Sequence, residues 1–154
     1  MPKIINSFRN EYAFLSNFFP APTEYEGLLY SCAEGAYQAA KSMDLMERIK
    51  FVTLNGAQAK KLGKSVKLRE DWEKVKIKIM CSVVLDKFTR NSILCLKLAK
   101  TGGAELIEGN YWHDTFWGVC NGVGANHLGI ILMEVRDLLY ETVIDGSFME
   151  QFAE

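Results

Sequence analysis

The hydrophobic pattern changes character along the chain. Over the first thirty residues Phe8, Tyr12, Phe14, Phe18, Phe19, Tyr25 and Tyr30 follow no helical spacing and are interrupted by Pro20, Pro22 and Gly27. Proline and glycine break a helical period, so short strands and loops are expected there. From Ser31 the pattern turns helical. Ser31-Cys-Ala-Glu34 reads as a capping box, and alanines 33, 36, 39 and 40 favour helix through about Met43. A second helix is expected over Leu45–Leu54, stopping at Asn55-Gly56, and a short third over Ala57–Leu62, ended by Gly63. The longest is predicted from Glu70 to Phe88, where Trp72, Val75, Ile79, Val83 and Lys87-Phe88 recur every three or four residues. Asn91 is expected to cap a helix over Ser92–Lys100. Leu106–Glu108 and Thr115–Trp117 read as short strands, Asn121–Asn126 as a turn-rich loop, and Leu128–Tyr140 as the last helix, with Asn126 or His127 near its cap. The expected fold is α+β: one predominantly helical domain over residues 1–154 with a small β-sheet.

Composition narrows the class. The chain has 154 residues, 49% of them hydrophobic, enough for a buried core and against disorder as the main state. No apolar run reaches the ~20 residues of a membrane helix, and the N-terminal residues do not resemble a secretory leader. Cys32, Cys81, Cys95 and Cys120 are scattered, which suits reduced thiols and a cytoplasmic location. His113 and His127 are the two histidines, so no metal site is expected. The net charge of −1 argues against a dedicated nucleic-acid-binding domain. Charge is nonetheless uneven: residues 58–78 hold eight basic and three acidic side chains, and from Glu134 on there are six acids and one base. The basic stretch is either a solvated helix face or the border of a pocket for a phosphate-bearing ligand.

Three segments could carry chemistry. In the helix from Ser31, Glu34, Tyr37, Gln38 and Lys41 stand at i, i+3, i+4 and i+7 and share a face. A carboxylate, a phenol, an amide and an amine make a plausible active-site wall; the plainer alternative is that Glu34 only completes the capping box and Lys41 sits in solvent. Glu108-Gly-Asn-Tyr-Trp-His-Asp114-Thr-Phe-Trp117-Gly118 interleaves acids with aromatics, which suits stacking a base or sugar while a carboxylate works at an anomeric carbon. Against this stand core packing for Trp112 and Trp117 and an Asx turn for Asp114. The glycine-rich run from Gly118 to Asn126 opens a helix, a place where backbone amides hold anions, although its spacing matches no nucleotide fingerprint. Ser16-Asn17 interrupts an aromatic stretch as an ordinary turn or a polar contact at a pocket floor. No nucleophile elbow and no cysteine-hydrolase signature is present.

Together these segments resemble one family. Phe14-Leu-Ser-Asn-Phe-Phe19, Glu34-x-x-Tyr37-Gln38-x-x-Lys41, Ala57–Gly63, Asp71-Trp72, Met80 and Lys87-Phe88 lead to the most specific run, Glu108…Asp114-x-x-Trp117-Gly118…Gly124-x-Asn126-x-x-Gly129-x-x-Leu132-Met133-x-x-Arg136. This pattern is similar to the YbiA-like, or NADAR, N-glycosidases, from about Tyr12 to Leu139. Gly35 and Ala36 depart from it, standing where bulkier residues are common, and the tail from Tyr140 to Glu154 lies outside it.

The resemblance implies hydrolysis of a carbon–nitrogen bond at a ribose anomeric carbon. The implied substrates are phosphoribosylaminopyrimidine intermediates of riboflavin synthesis, or ADP-ribose on guanine bases, free or in nucleic acid. It implies no cofactor and no membrane partner. It carries Glu34, Lys41 and Asp114 over as catalytic residues, with Asn17, Tyr37, Gln38, Trp72, Trp117, Gly118 and Asn126 as substrate contacts. In such a reaction a carboxylate offsets charge building on the sugar, a desolvated lysine attacks the opened anomeric carbon, and an acid protonates the departing nitrogen. The competing classes are a module that binds ADP-ribose or a nucleotide without cleaving it, and a repair protein acting on a modified base in nucleic acid.

Overall fold

A computed structural model describes residues 3–144. In chain order its elements are β1 (Ile4–Ile5), a 3-10 helix (Asn10–Leu15), β2 (Pro20–Tyr25), β3 (Leu28–Cys32), α1 (Ala33–Ala39), α2 (Leu45–Ile49), α3 (Gly56–Gly63), α4 (Trp72–Arg90), α5 (Ser92–Lys100), β4 (Glu105–Leu106), β5 (Gly109–Asn110), β6 (Val119–Cys120) and α6 (His127–Ile144). The fold is α+β and helix-rich, with its strands in three two-stranded pieces. The chain divides into two compact units: a middle unit, Phe8–Asn91, and a terminal unit made of Met1–Ser7 and the chain from Ser92. Among the described residues no helix is long and apolar enough to cross a membrane. The last ten residues of the tail, 145–154, lie outside the described part.

In the middle unit β2 and β3 form an antiparallel hairpin with Thr23 opposite Tyr30 and Tyr25 opposite Leu28. Its turn uses two left-handed residues, Glu26 (φ 45°) and Gly27 (φ 90°), the geometry whose twist matches paired strands. Helices α1 and α4 pack on this hairpin, and α3 packs on α1. Tyr30, Ala33, Ala36, Phe51, Val83, Val84 and Phe88 are buried at the centre.

The helix boundaries differ from the sequence expectation in instructive ways. Ser31 is still in β3, where its amide and hydroxyl both donate to the Val52 carbonyl, at 3.1 and 2.9 Å. No capping box with Glu34 forms, and α1 starts after Cys32 with no side-chain cap. The helix ends at Ala39 rather than near Met43, and Lys41 stands in the turn that follows, its amide on the Gln38 carbonyl. Asn55 closes no helix; it opens α3, in a capping box with Gln58. Helix α2 is correspondingly short, capped by Asp44, whose side chain accepts from the Met46 amide.

In the terminal unit β1 pairs parallel with β4, Ile5 beside Leu106, and β5 pairs parallel with β6, Gly109 beside Val119. Helix α6 packs on β4 and α5, burying Leu98, Leu106, Ile131, Leu132 and Val135. Arg136 reaches across to donate to the Ala104 carbonyl at 2.7 Å and the Thr101 hydroxyl at 3.0 Å. Thr115–Trp117 is no strand. Oδ1 of Asp114 accepts from the amides of Phe116 (3.1 Å) and Trp117 (2.9 Å), which curls this segment into an Asx turn and withholds those amides from a ladder.

Candidate functional site

Helix α1 is buried along its whole length, so any polar group on it must find a partner inside the protein. Glu34 is 8% exposed and Gln38 5% exposed. One turn apart on the helix, they meet directly: Gln38 Nε2 donates to Glu34 Oε1 at 2.8 Å. The Glu34 amide, one of the unpaired donors at the start of the helix, is satisfied by the Asn17 carbonyl at 3.0 Å. Asn17 is itself buried and donates its side-chain amide to the Met80 sulfur at 3.4 Å. The two residues from the aromatic N-terminal stretch and the helix therefore belong to one connected structure.

Tyr37 lies against Trp72 at the start of α4, ring centroids 5.2 Å apart, and both are buried. The Lys41 ammonium sits 6.0 Å from the Tyr37 ring and 5.9 Å from the Trp72 ring, at the outer range of a cation–π contact. Lys41 is half-buried, and loss of solvent lowers its pKa from the ordinary lysine value. The Glu34 charge opposes that shift, and the nearby Lys60 and Lys76 charges add to it. A carboxylate near the start of α1, its amide partner one turn on, and an amine with a weakened hold on its proton just past the helix end thus lie along one stretch of chain, the amine beside two aromatic rings. This set can move protons and supply a nucleophile.

The terminal unit holds Asp114, Trp117, Gly118 and Asn126, and here the polar side chains shape a loop. Asp114 makes the Asx turn just described, and Asn110 braces it by accepting from the Asp114 amide (3.1 Å) and donating to the Asp114 carbonyl (2.8 Å). Asn126, left-handed at φ 55°, donates to the Leu106 carbonyl and accepts from the Glu108 amide, both at 2.9 Å, in the manner of a neighbouring strand. A side chain at Gly118 would run into the Glu108 carboxylate and carbonyl, so only glycine fits. Trp117 is partly exposed and stands edge-on to Phe116, centroids 4.8 Å apart, while His127 tilts over Phe116.

The sequence places Lys87 on the α4 stripe but assigns it no role. It stands on the apolar stripe of α4 and is 0% exposed, donating to the carbonyls of Phe14 (2.7 Å) and Ser16 (2.8 Å). Burial pulls its pKa down to about 7, with Cys32 nearby opposing the shift. The signal was a lysine at a position where the helical period calls for an apolar residue. Gly63 was read only as a helix stop, yet a Cβ there would fall 1.9 Å from Gln38 Oε1.

Comparison with known proteins bears on the family and the fold. The NADAR domain family matches residues 5–140, running through both units. N-glycosidase YbiA of Shigella flexneri is 34% identical over 142 residues, 88% of this chain and 88% of that protein. An N-glycosidase of Nostoc punctiforme is 35% identical over 133 residues, 82% of this chain and 85% of that one. A riboflavin biosynthesis protein of Vibrio vulnificus is 36% identical over 134 residues, 84% of this chain, but the match spans only 36% of that longer protein. The NMR structure of E. coli YbiA superimposes with a TM-score of 0.81 at 30% identity, covering 94% of this chain and 89% of the other.

Proposed function

The chain belongs to the NADAR domain family, and from that premise we propose that it is an N-glycosidase, a hydrolase of N-glycosyl bonds, whose reactive groups are Glu34 and Lys41. The observation that carries this reading is the buried Glu34–Gln38 pair at 2.8 Å beside a half-buried, desolvated Lys41. A buried carboxylate and a lysine with a lowered pKa are costly to the fold and useful to proton transfer and nucleophilic attack. A module that only held a nucleotide would need neither.

The substrate is a small nucleotide-like molecule in which a ribose C1 carries a nitrogen. The sugar ring opens as the nitrogen lone pair forms a protonated C=N bond at C1, the C1–O4′ bond breaks and O4′ takes a proton from water, which leaves C1 open to attack. Nζ of Lys41 forms a bond to C1, its proton passes to the ionised Glu34, and Glu34 hands that proton to the nitrogen that leaves. Water then hydrolyses the imine, releasing the sugar and restoring the amine. Asp114 orients the 114–117 turn of the terminal unit, and the family resemblance carries it over as a further catalytic carboxylate, a charge of the kind that favours an electron-poor sugar. Trp117, partly exposed, is carried over by the same resemblance as a substrate contact.

The two candidate substrates are a phosphoribosylaminopyrimidine and ADP-ribosylated guanine. The riboflavin-biosynthesis names among the relatives favour the first. Incubation with each, followed by mass spectrometry of the products, tests the proposal. Ribose 5-phosphate and free pyrimidine are expected from the first; ADP-ribose released from the second would move the substrate to modified guanine. Binding of either without any product would reduce the protein to a nucleotide-binding module.

A further inference from the structure

We propose that Gln38 is a positioning residue that fixes the rotamer and the charge state of Glu34, held in place by the gap that Gly63 leaves on α3. The proposal rests on the N-glycosidase reading for its kinetic consequences only.

The geometry is unusual for a glutamine. Its Nε2 is committed to Glu34 Oε1, whereas its Oε1 is fully buried with no hydrogen-bond partner. An unmet buried acceptor is costly, and turning the amide round would merely exchange its two ends. The amide stays nitrogen-first because an ionised carboxylate only accepts: the reverse orientation would set two acceptors against each other. The orphaned oxygen is therefore the mark of an amide whose direction is dictated by Glu34 in its charged form. A charge-assisted hydrogen bond of this kind favours the ionised carboxylate over the protonated one.

The place where the amide rests is equally specific. A Cβ built on Gly63 would lie 1.9 Å from Gln38 Oε1 and 2.7 Å from its Cδ. The end of the Gln38 side chain thus occupies the space that any other residue at 63 would fill. Gly63 is the last residue of α3, whose start is pinned by the Asn55–Gln58 capping box. The helix presents a fixed, side-chain-free surface against which the amide can be clamped. Gln38 acts on substrate only through Glu34, and Gly63 acts only through Gln38.

The test is a carbon-13 NMR titration of the Glu34 carboxyl, its signal identified by loss in Glu34→Gln, together with steady-state kinetics. Gln38→Met keeps the length of the side chain and removes the donor. It should raise the Glu34 titration midpoint by about one pH unit, lower kcat roughly tenfold and leave KM within about twofold. Gly63→Ala leaves every polar group in place and should produce a smaller shift in the same direction. It decides the matter alone if Gln38→Met does not fold. An unchanged midpoint in the folded variants would overturn the proposal, as would a loss confined to KM, which would make Gln38 a direct substrate contact. If the wild-type protein cleaves no N-glycosyl bond, the functional reading fails, and the titration still decides the positioning claim.

Discussion

The α1 region of the middle unit and the Asp114–Asn126 loop of the terminal unit are equally polar and use their polarity differently. In the loop three polar side chains serve the backbone. Asp114 closes a turn, Asn110 braces it, and Asn126 stands in for a strand partner. On α1 Glu34 and Gln38 bond to each other inside a buried helix, Gln38 leaves an oxygen unmet, and just past the helix end Lys41 is partly stripped of water. Polar groups that build a loop lower the energy of the fold; polar groups buried for no local structural gain point to chemistry. The α1 region is therefore where we propose that bond breaking occurs.

The strongest test of this contrast is Glu34→Gln. Glutamine is nearly isosteric and keeps an acceptor for Gln38, so the fold should melt within a few degrees of wild type. Turnover should fall on the order of a hundredfold or more, as for other lost proton-transfer groups. A variant with near-normal turnover would show that the buried carboxylate is architectural after all.

The two lysines of the middle unit sharpen the comparison from another side. Lys87 is a structural amine: its neutral form has two N–H groups, matched by the carbonyls of Phe14 and Ser16. Lys87→Met should destabilise the protein by about 2–4 kcal/mol, because two buried carbonyls lose their donor. The pH dependence has a definite sign. The folded pKa of about 7 lies below the ~10.4 of an unfolded lysine. Between these values the unfolded chain holds more protons, so the Lys87 contribution grows as pH rises from 7 and is flat below it. Urea denaturation of wild type and Lys87→Met at pH 7 and pH 9 should show the gap widening; an unchanged gap would mean that the amine is held charged.

How much of this was legible in the sequence follows from the same distinction. The α4 stripe, the α6 span and the helix-rich α+β class follow from spacing, because burial of one helical face is a local property. The grouping of Glu34, Gln38 and Lys41 was also legible, although Lys41 turned out to lie just past the end of α1. The supposed Ser31 capping box failed because Ser31 bonds to Val52, twenty-one residues away, a contact no local pattern encodes. The expected strand at Thr115–Trp117 failed because one aspartate captured two amides. The seat of Gln38 on Gly63 needed the packing of α1 against α3, which only the folded chain reveals.

Asp114 tests the loop side of the comparison. Asparagine can accept the same two amides through its own Oδ1, so Asp114→Asn should keep wild-type stability while turnover drops roughly tenfold, the share owed to the charge. Asp114→Ala loses the turn as well and should cost a further ~1 kcal/mol of stability, read by thermal melting. Equal activity in Asp114→Asn and wild type would leave the residue purely architectural.

A smaller effect is expected at Lys60. Its charge lowers the Lys41 pKa, so removing it in Lys60→Met should raise that pKa by a few tenths of a unit. Since the attacking amine must be neutral, the rising limb of the pH–rate profile should move to higher pH by the same amount. A limb that stays in place would mean that it reports a different group.

The most direct measurement is reduction with borohydride during turnover, followed by peptide mass spectrometry. If Lys41 attacks C1, the imine is trapped as a stable sugar adduct on Lys41, absent from Lys87 and from the lysines of the 58–78 stretch. Lys41→Arg, charged but unable to serve as the nucleophile, should form no adduct and be as inactive as Lys41→Ala. A fully active Lys41→Arg enzyme with no adduct on any lysine would contradict the account, leaving Lys41 to hold substrate while water makes the attack.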